Sequence, residues 1–359
     1  MRPKGKLRDL YRICGVLAAL AWPFFGGSAA DAHDHEVPLR VFLLVPAAAG
    51  YTVVDFGALP QGTAQVIRAL NKGGEVVGGA STGGSSHRAF VLSSTRLERI
   101  EGLPGADYSA AHGINDLSEV VGSSNGPTSV EAFRWTRNGG HQRLAPLPGD
   151  NSSQAFGINR HGQVVGYSSG PGGAQGVLWA RNGAGQGLGT LPGSAYSRAL
   201  AINEPGNVVG TSGTSPATRA FLWTPSTGMK DLGMLAGDRE SEAVHINDAG
   251  DVVGWSSGPD GSRAVLWSAR GTIEDLGTLP GGKYDRARAI NARGEVVGFS
   301  ATAHAMRAFL WTRTGGMQDL NSLIPAASGF VLTEAVAIND QGLIVALGHD
   351  DEHGGSSAP

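Results

Sequence analysis

Three copies of the pattern Gly-x-Ser-x-Gly, GSSNG at 122–126, GYSSG at 166–170 and GWSSG at 254–258, have the spacing that presents a serine nucleophile on a strand-to-helix turn. No copy is followed by a segment of helical periodicity, so the turn that would expose the serine is missing and a structural role is expected instead. The asparagines Asn71, Asn115, Asn159, Asn203, Asn247, Asn291 and Asn339 could form a repeated binding site. Asparagine with glycine three residues on, the rule here, is also what a tight hairpin requires, the amide bonding local backbone and the glycine taking positive φ. Trp135, Trp179, Trp223, Trp267 and Trp311 could be sugar platforms, but regular recurrence points to packing. PDGS at 259–262 and NDAGD at 247–251 hold oxygen ligands without the dense alternating carboxylates of a calcium loop.

Places where one copy departs from the others carry more information. Two residues before the asparagine stand Ala69, Gly113, Gly157, Ala201, Ala289 and Ala337, but His245 in the fifth copy. Five residues before it, the last four copies hold Arg198, Glu242, Arg286 and Glu334, which reads as a ring of alternating ion pairs between repeats. Near the N-terminus, cleavage after Ala30 would place His33 third in the chain, and cleavage after Ala32 would place His35 there. The free amine, two amides and that imidazole then suit square-planar Cu²⁺ or Ni²⁺. The acidic and histidine-bearing tail HDDEH, 349–353, reads as a solvated terminus.

All of these residues belong to one repeating unit. The asparagines are spaced by 44 residues five times and then by 48. Each period holds four short apolar runs between turn residues: a (AxAIN), b (GxVVG), c (RAFLW) and d (MxDLGTL), and none has helical periodicity. Four strands in such a period match a β-propeller blade. The seventh period stops after b, whereas RVFLLV at 40–45 resembles c and YTVVDFGALP at 51–60 resembles d. The expected fold is therefore all-β: a seven-bladed β-propeller of four-stranded blades over 40–348, closed by N- and C-terminal strands sharing one blade.

The Ala-Ile-Asn-x-x-Gly, Val-Val-Gly and Arg-Ala-Phe-Leu-Trp series resembles the bacterial extracellular HAF-repeat proteins over nearly the whole chain beyond residue 32. Arg88, Arg219, Arg263 and Arg307 stand where the family's name implies histidine. The resemblance implies export and repetition and brings no reaction with it.

Of 359 residues 56 are Gly, and only 16% are charged, which suits a turn-rich globular chain. Basic residues at 2–12, an apolar stretch at 13–25 and GGSAADA read as a signal peptide, 1–32, followed by an extension at 33–39 and, at the other end, a polar tail at 349–359. The apolar stretch is too short to span a bilayer. Cys14 is the sole cysteine, so the chain beyond residue 32 can form neither a disulfide nor a cysteine-based zinc site. Losing 1–32 changes the net charge from −3 to −6 and leaves three lysines, which argues against nucleic acid as partner.

The expected protein is a monomer exported to the periplasm or medium, without cofactor, binding a glycan or another protein. Connections between runs d and a vary from copy to copy, as in AYS at 195–197, RES at 239–241 and KYD at 283–285, while the a–b turn is nearly constant. The ligand site is placed on the d–a face with Tyr196, Arg198, Arg239, Glu242, His245, Tyr284, Asp285 and Arg286. A different class stays open, an exported enzyme acting on a polysaccharide (hydrolase or lyase) with Glu242, Asp285 or Glu334 as acid or base.

Overall fold

The computed structural model describes residues 39–57, 66–81, 87–126, 129–214, 217–302 and 305–351. Every described residue lies within the unit Pro38–Pro359. The signal peptide and the copper-binding His33 and His35 lie outside the described residues. Among those described there are 28 strands, one short 3-10 turn at Leu320–Leu323 and no α-helix.

The strands form antiparallel four-stranded sheets. In the fifth repeat, strand a (Glu240–Ile246) pairs with b (Val252–Gly258), b with c (Gly261–Trp267), and c with d (Ile273–Asp275). The fifth and sixth sheets touch through one parallel pair, Ser262 with Tyr284. The first and last described strands also pair: Arg40–Pro46 runs antiparallel to Ile344–Asp350, in a sheet ordered Tyr51–Gly57, Arg40–Pro46, Ile344–Asp350, Phe330–Ile338. Arg40 sits there as arginines do in strand c elsewhere, bonded to Asp55 of the neighbouring strand, as Arg219 is to Asp231 at 2.7 Å.

Run d differs from its sequence reading. Only its first residues form a strand, Gly228–Asp231 in the fourth repeat, and the following Leu-Gly-x-Leu is irregular. Gly233 and Gly277 take φ of 75° and 80°, which breaks the ladder, and the freed leucines, such as Leu276 and Leu279, pack between sheets. The longer last period is absorbed here as well, by the turn at Leu320–Leu323 capped by Asp319.

The apolar core is a series of clusters between successive sheets. One joins Ala201, Val209 and Ala220 to Ala243, Val252, Val265 and Trp267, and another joins Val41, Ala337 and Val345 to Ile67, Val76 and Phe90. The glycine of Val-Val-Gly is needed where strand a crosses closely: a Cβ on Gly210 would collide with the carbonyl oxygen of Arg198.

The asparagines tie the repeats together. The Oδ1 of Asn203 accepts the Asn207 N–H at 2.8 Å, closing its own turn, while its Nδ2 donates to the Asn247 carbonyl at 3.0 Å. The same donation runs from Asn71 to Asn115, Asn115 to Asn159, Asn159 to Asn203, Asn247 to Asn291 and Asn291 to Asn339. Asn339 donates to the Asn71 carbonyl at 3.0 Å. The expectation of a local turn bond holds, and the bond to the next repeat is what single-repeat reasoning omits. Ser118 stands where other repeats have the turn glycine, and at φ 58° it is the one non-glycine residue at positive φ among those described.

Asn203→Ala removes one part-buried bond inside the turn and one buried bond between sheets, and is expected to cost about 1–3 kcal/mol. Asn203→Asp keeps the first acceptor but sets a carboxylate against the Asn247 carbonyl, so it should melt no higher than the alanine variant. Thermal unfolding measures both, and an unaltered melting temperature in either contradicts the role given to the amide. Deleting residues 39–57 should abolish cooperative unfolding by stripping the partners from Ile344–Asp350.

Candidate functional site

The serines of the three Gly-x-Ser-x-Gly copies are fully buried and bonded at both ends. Ser124 Oγ accepts the Leu103 N–H at 3.0 Å and donates to Tyr108 O at 3.1 Å, and Ser168 Oγ accepts the Leu147 N–H at 2.9 Å and donates to Asp150 Oδ2 at 2.6 Å. Ser256 repeats the pattern with Leu235 and Asp238. They pin the loop after strand d to strand b, and none is placed to attack a substrate. The recurring tryptophans are equally occupied, Trp179 and Trp267 being almost entirely buried. Among the described residues no group of three or more His, Cys, Asp or Glu is placed to hold a metal ion.

The a–b turn face is a closed lattice. Arg137 of a c–d turn bonds Glu75 at 2.7 Å and Glu98 at 2.9 Å, and Arg181 bonds Glu119 at 2.9 Å. Backbone N–H groups of one turn donate to carboxylates of the next, as Lys72 to Asp116 and Glu204 to Asp248, both at 2.9 Å. Arginine, serine and threonine side chains also line a cleft of about 410 Å³ on this face, between Leu117, Glu119 and Arg181.

Strand a leaves different side chains free. In each repeat its pairing slips between the fourth and second residues before the asparagine, a bulge. In the fourth to sixth repeats the sixth and fourth residues before the asparagine are buried between sheets, as with Ser241 and Ala243, whereas the fifth and third remain partly accessible to water, as with Arg198, Glu242, Arg286 and Arg288. Two residues before the asparagine, space closes again: a Cβ on Gly113 would meet the Phe156 carbonyl of the next strand a at 2.5 Å, which accounts for the small residues there. His245 escapes by turning its Nδ1 to the Ile290 N–H at 3.4 Å.

The sequence-predicted residues separate accordingly. Arg198, Glu242 and Arg286 share the water-facing row. Arg198 lies 5.1 Å from the centre of the Tyr167 ring and 5.8 Å from that of Tyr196, and Arg286 lies 4.5 Å from the Trp255 ring. Trp255 also hydrogen-bonds Glu242. Tyr196, Arg239 and Tyr284 sit at the start of strand a, with Arg239 and Tyr284 exposed. Asp285 points the other way: it is 2% exposed, accepts a bond from Thr278 Oγ1 at 3.1 Å and another from Ser300, and fills the site that Ser241 fills in the preceding repeat. The expected alternating ion pairs also change partner. Glu334 bonds Arg288, not Arg286, with Arg288 Nε at 2.6 Å, because the bulge brings the third-residue row alongside the fifth.

That third-residue row holds the residues missed from sequence: Arg68, His112, Phe156 and Arg288. Comparing copies three residues before the asparagine identifies them, as comparing the residue after Val-Val-Gly identifies Tyr167, Trp255 and Phe299. Arg68 is exposed by surface area, yet desolvation and then Arg288 pull its pKa below the usual value. Desolvation raises the Glu242 carboxyl, opposed by Arg286, Arg288 and Arg198, and lowers Arg286. Desolvation takes His245 down to about 4 and His112 to about 3, the latter with help from Arg68 and His87.

The sequence matches no protein-family model and no curated protein. Solved structures do resemble it. The β-propeller domain of the trilobed protease from Pyrococcus furiosus, described as having an open velcro topology, superposes with a TM-score of 0.51 at 12% identity, covering 79% of this chain and 92% of that one. A streptogramin B lyase gives 0.50 at 13% identity over 86% of this chain and 97% of that one, and a putative TolB from Agrobacterium tumefaciens 0.50 at 11% identity over 88% and 99%. At such identity these likenesses show the fold alone, and the chain is a β-propeller. Among the described residues no helix is long and apolar enough to cross a membrane.

The two histidines make stability depend on pH. Their pKa values are lower folded than unfolded, so the unfolded chain binds more protons between about pH 6.5 and pH 4, and stability falls as pH falls through that window. Glu242, raised in the fold, acts in the opposite sense. His245→Gln should therefore flatten the fall in melting temperature between pH 6.5 and pH 4.5, by at most about 1.4 kcal/mol per pH unit. An identical pH profile in variant and parent would refute the assignment.

Proposed function

We propose that this chain is an exported binding module: a seven-bladed propeller, closed by the sheet that its first and last strands share, holding a glycan or protein ligand over the axial mouth on the d–a side. The observation that carries this reading is the division of labour between the faces. The a–b turns, the serine motifs and the tryptophans are all occupied in holding sheets together. Charged and aromatic side chains that differ between repeats gather instead at the start of strand a, where Tyr196, Arg239 and Tyr284 ring the mouth above Arg198, Glu242 and Arg286. Rigid strands presenting variable polar and aromatic groups suit recognition.

The amide relay returning from Asn339 to Asn71, and the pairing of Arg40–Pro46 with Ile344–Asp350, support the closed seven-bladed form. The HAF-repeat resemblance and the signal-like segment at 1–32 support export to the periplasm or medium. A polysaccharide-acting enzyme is the second reading, favoured by the raised Glu242 carboxyl, which suits a general acid. Asp285 is removed from that reading by its bonds to Thr278 and Ser300.

A glycan array combined with a hydrolysis screen, on the chain from residue 33 onward, separates the two readings. Binding without turnover is expected. Tyr284→Ala and Tyr196→Ala should each weaken the identified ligand by about 1–3 kcal/mol with the fold intact. Full affinity in the double variant places the site elsewhere, and turnover abolished by Glu242→Gln establishes the enzyme.

A further inference from the structure

The charges lining the axial space are unbalanced. Arg68, Arg198, Arg286 and Arg288 meet only Glu242 and Glu334 there, and Glu240 acts on Arg286 from the rim. Of the four guanidinium groups, Arg288 alone is held by a carboxylate, Glu334. Among the described residues Arg68, Arg198 and Arg286 have no ion pair and no side-chain hydrogen bond, and the buried Nε of Arg198 has no acceptor. Two of them lie over rings: Arg198 over Tyr167 and Tyr196, Arg286 over Trp255. Attraction to a ring needs no oxygen acceptor and leaves the guanidinium's N–H donors, up to five per group, for one.

A carboxylate matches that fork with two parallel bonds. The chain as a whole carries net charge −3, so an anion is drawn to this mouth and repelled elsewhere. An acidic peptide would need an open strand edge or an apolar anchor pocket. The bulge in every strand a spoils the inner edge for strand addition, and of the exposed large apolar residues Leu39, Val54, Leu97, Leu117 and Tyr284, only Tyr284 belongs to this mouth. Tyr196 and Tyr284 bring aromatic rings to the rim, a residue type that suits a pyranose.

We infer that the mouth takes a uronic-acid oligosaccharide, its carboxylates on Arg68, Arg198 and Arg286 and its sugar rings against the rim tyrosines. This rests on the binding-module reading and adds the chemical class of ligand.

Calorimetric titration with defined oligogalacturonates and oligomannuronates, beside carboxyl-reduced counterparts and oligoglutamate, tests it. Binding of a uronate is expected, with loss of affinity on reduction of its carboxyls and on raising salt. Arg68→Gln and Arg286→Gln should each raise Kd about tenfold or more, while Arg181→Gln, on the opposite face, leaves it unchanged. Glu334→Gln removes a competing carboxylate from Arg288 and should tighten binding a few-fold, a gain that a misfolded variant cannot produce. Equal affinity for the reduced sugar, unchanged affinity in both arginine variants, preference for oligoglutamate, or no uronate binding at all overturns the inference. A neutral glycan that binds and is lost in Tyr284→Ala would overturn it too, while leaving the binding-module reading in place.

Discussion

The asparagine amide is the constraint on which the other features depend. Its oxygen closes the turn of its own repeat and its nitrogen reaches the carbonyl of the next asparagine, so one side chain fixes both a local conformation and the distance between sheets. Aspartate has no donor for the second bond. Because the bonded carbonyl belongs to the next asparagine, successive strands a are held close at that end. The crowding at Gly113 against the Phe156 carbonyl follows, and so does the run of alanine and glycine two residues before the asparagine. The turn face is then committed to structure, since its N–H groups and carboxylates already serve one another.

Moving toward the other end of strand a, the constraint relaxes. Positions five and three before the asparagine face water in an enclosed space, where long side chains fit without displacing backbone. The enclosure perturbs the groups it holds, since desolvation is the first cause of shift for Arg68, Glu242, Arg286, His112 and His245 alike. Charges there act on one another at a lower effective dielectric than in bulk water. The outer ion pairs, such as Arg143 with Glu131 and Arg219 with Asp231, lie largely in solvent and contribute little to stability. They match the polar ends of strands c and d across each sheet.

Most of the fold was legible because the repeat writes each structural requirement many times over. Val-Val-Gly, the buried tryptophans and the paired terminal strands all follow from the alignment of copies. Strand d was drawn too long because its leucines look like strand residues, whereas the glycine between them takes a conformation that ends the ladder. The candidate site was legible only in part. Strict alternation treats strand a as regular, and the bulge that brings Arg288 to Glu334 has no fixed residue type to announce it. Arg68, His112 and Arg288 were visible as departures from aliphatic neighbours, but only when copies are compared at that one position.

Asp285 and Arg68 show why departure from the repeat is not itself a mark of function. Both break a pattern, Asp285 where Ser109, Ser153, Ser197 and Ser241 stand, and Arg68 where Leu200, Val244 and Val336 stand. The serine at that place accepts an N–H from the preceding strand c and donates to a carbonyl beyond strand d, as Ser241 does with Ala220 and Gly233. An ionised aspartate cannot donate. The structure adjusts through Thr278 and Ser300, whose hydroxyls turn to it and offset the rise in pKa that burial causes. The departure is thus answered within the sheet interface and offers nothing to a ligand. Arg68 is on the opposite side of its strand, where no described side chain answers it. What separates a repair from a site is the parity of the position along strand a, and that parity is set by the bulge.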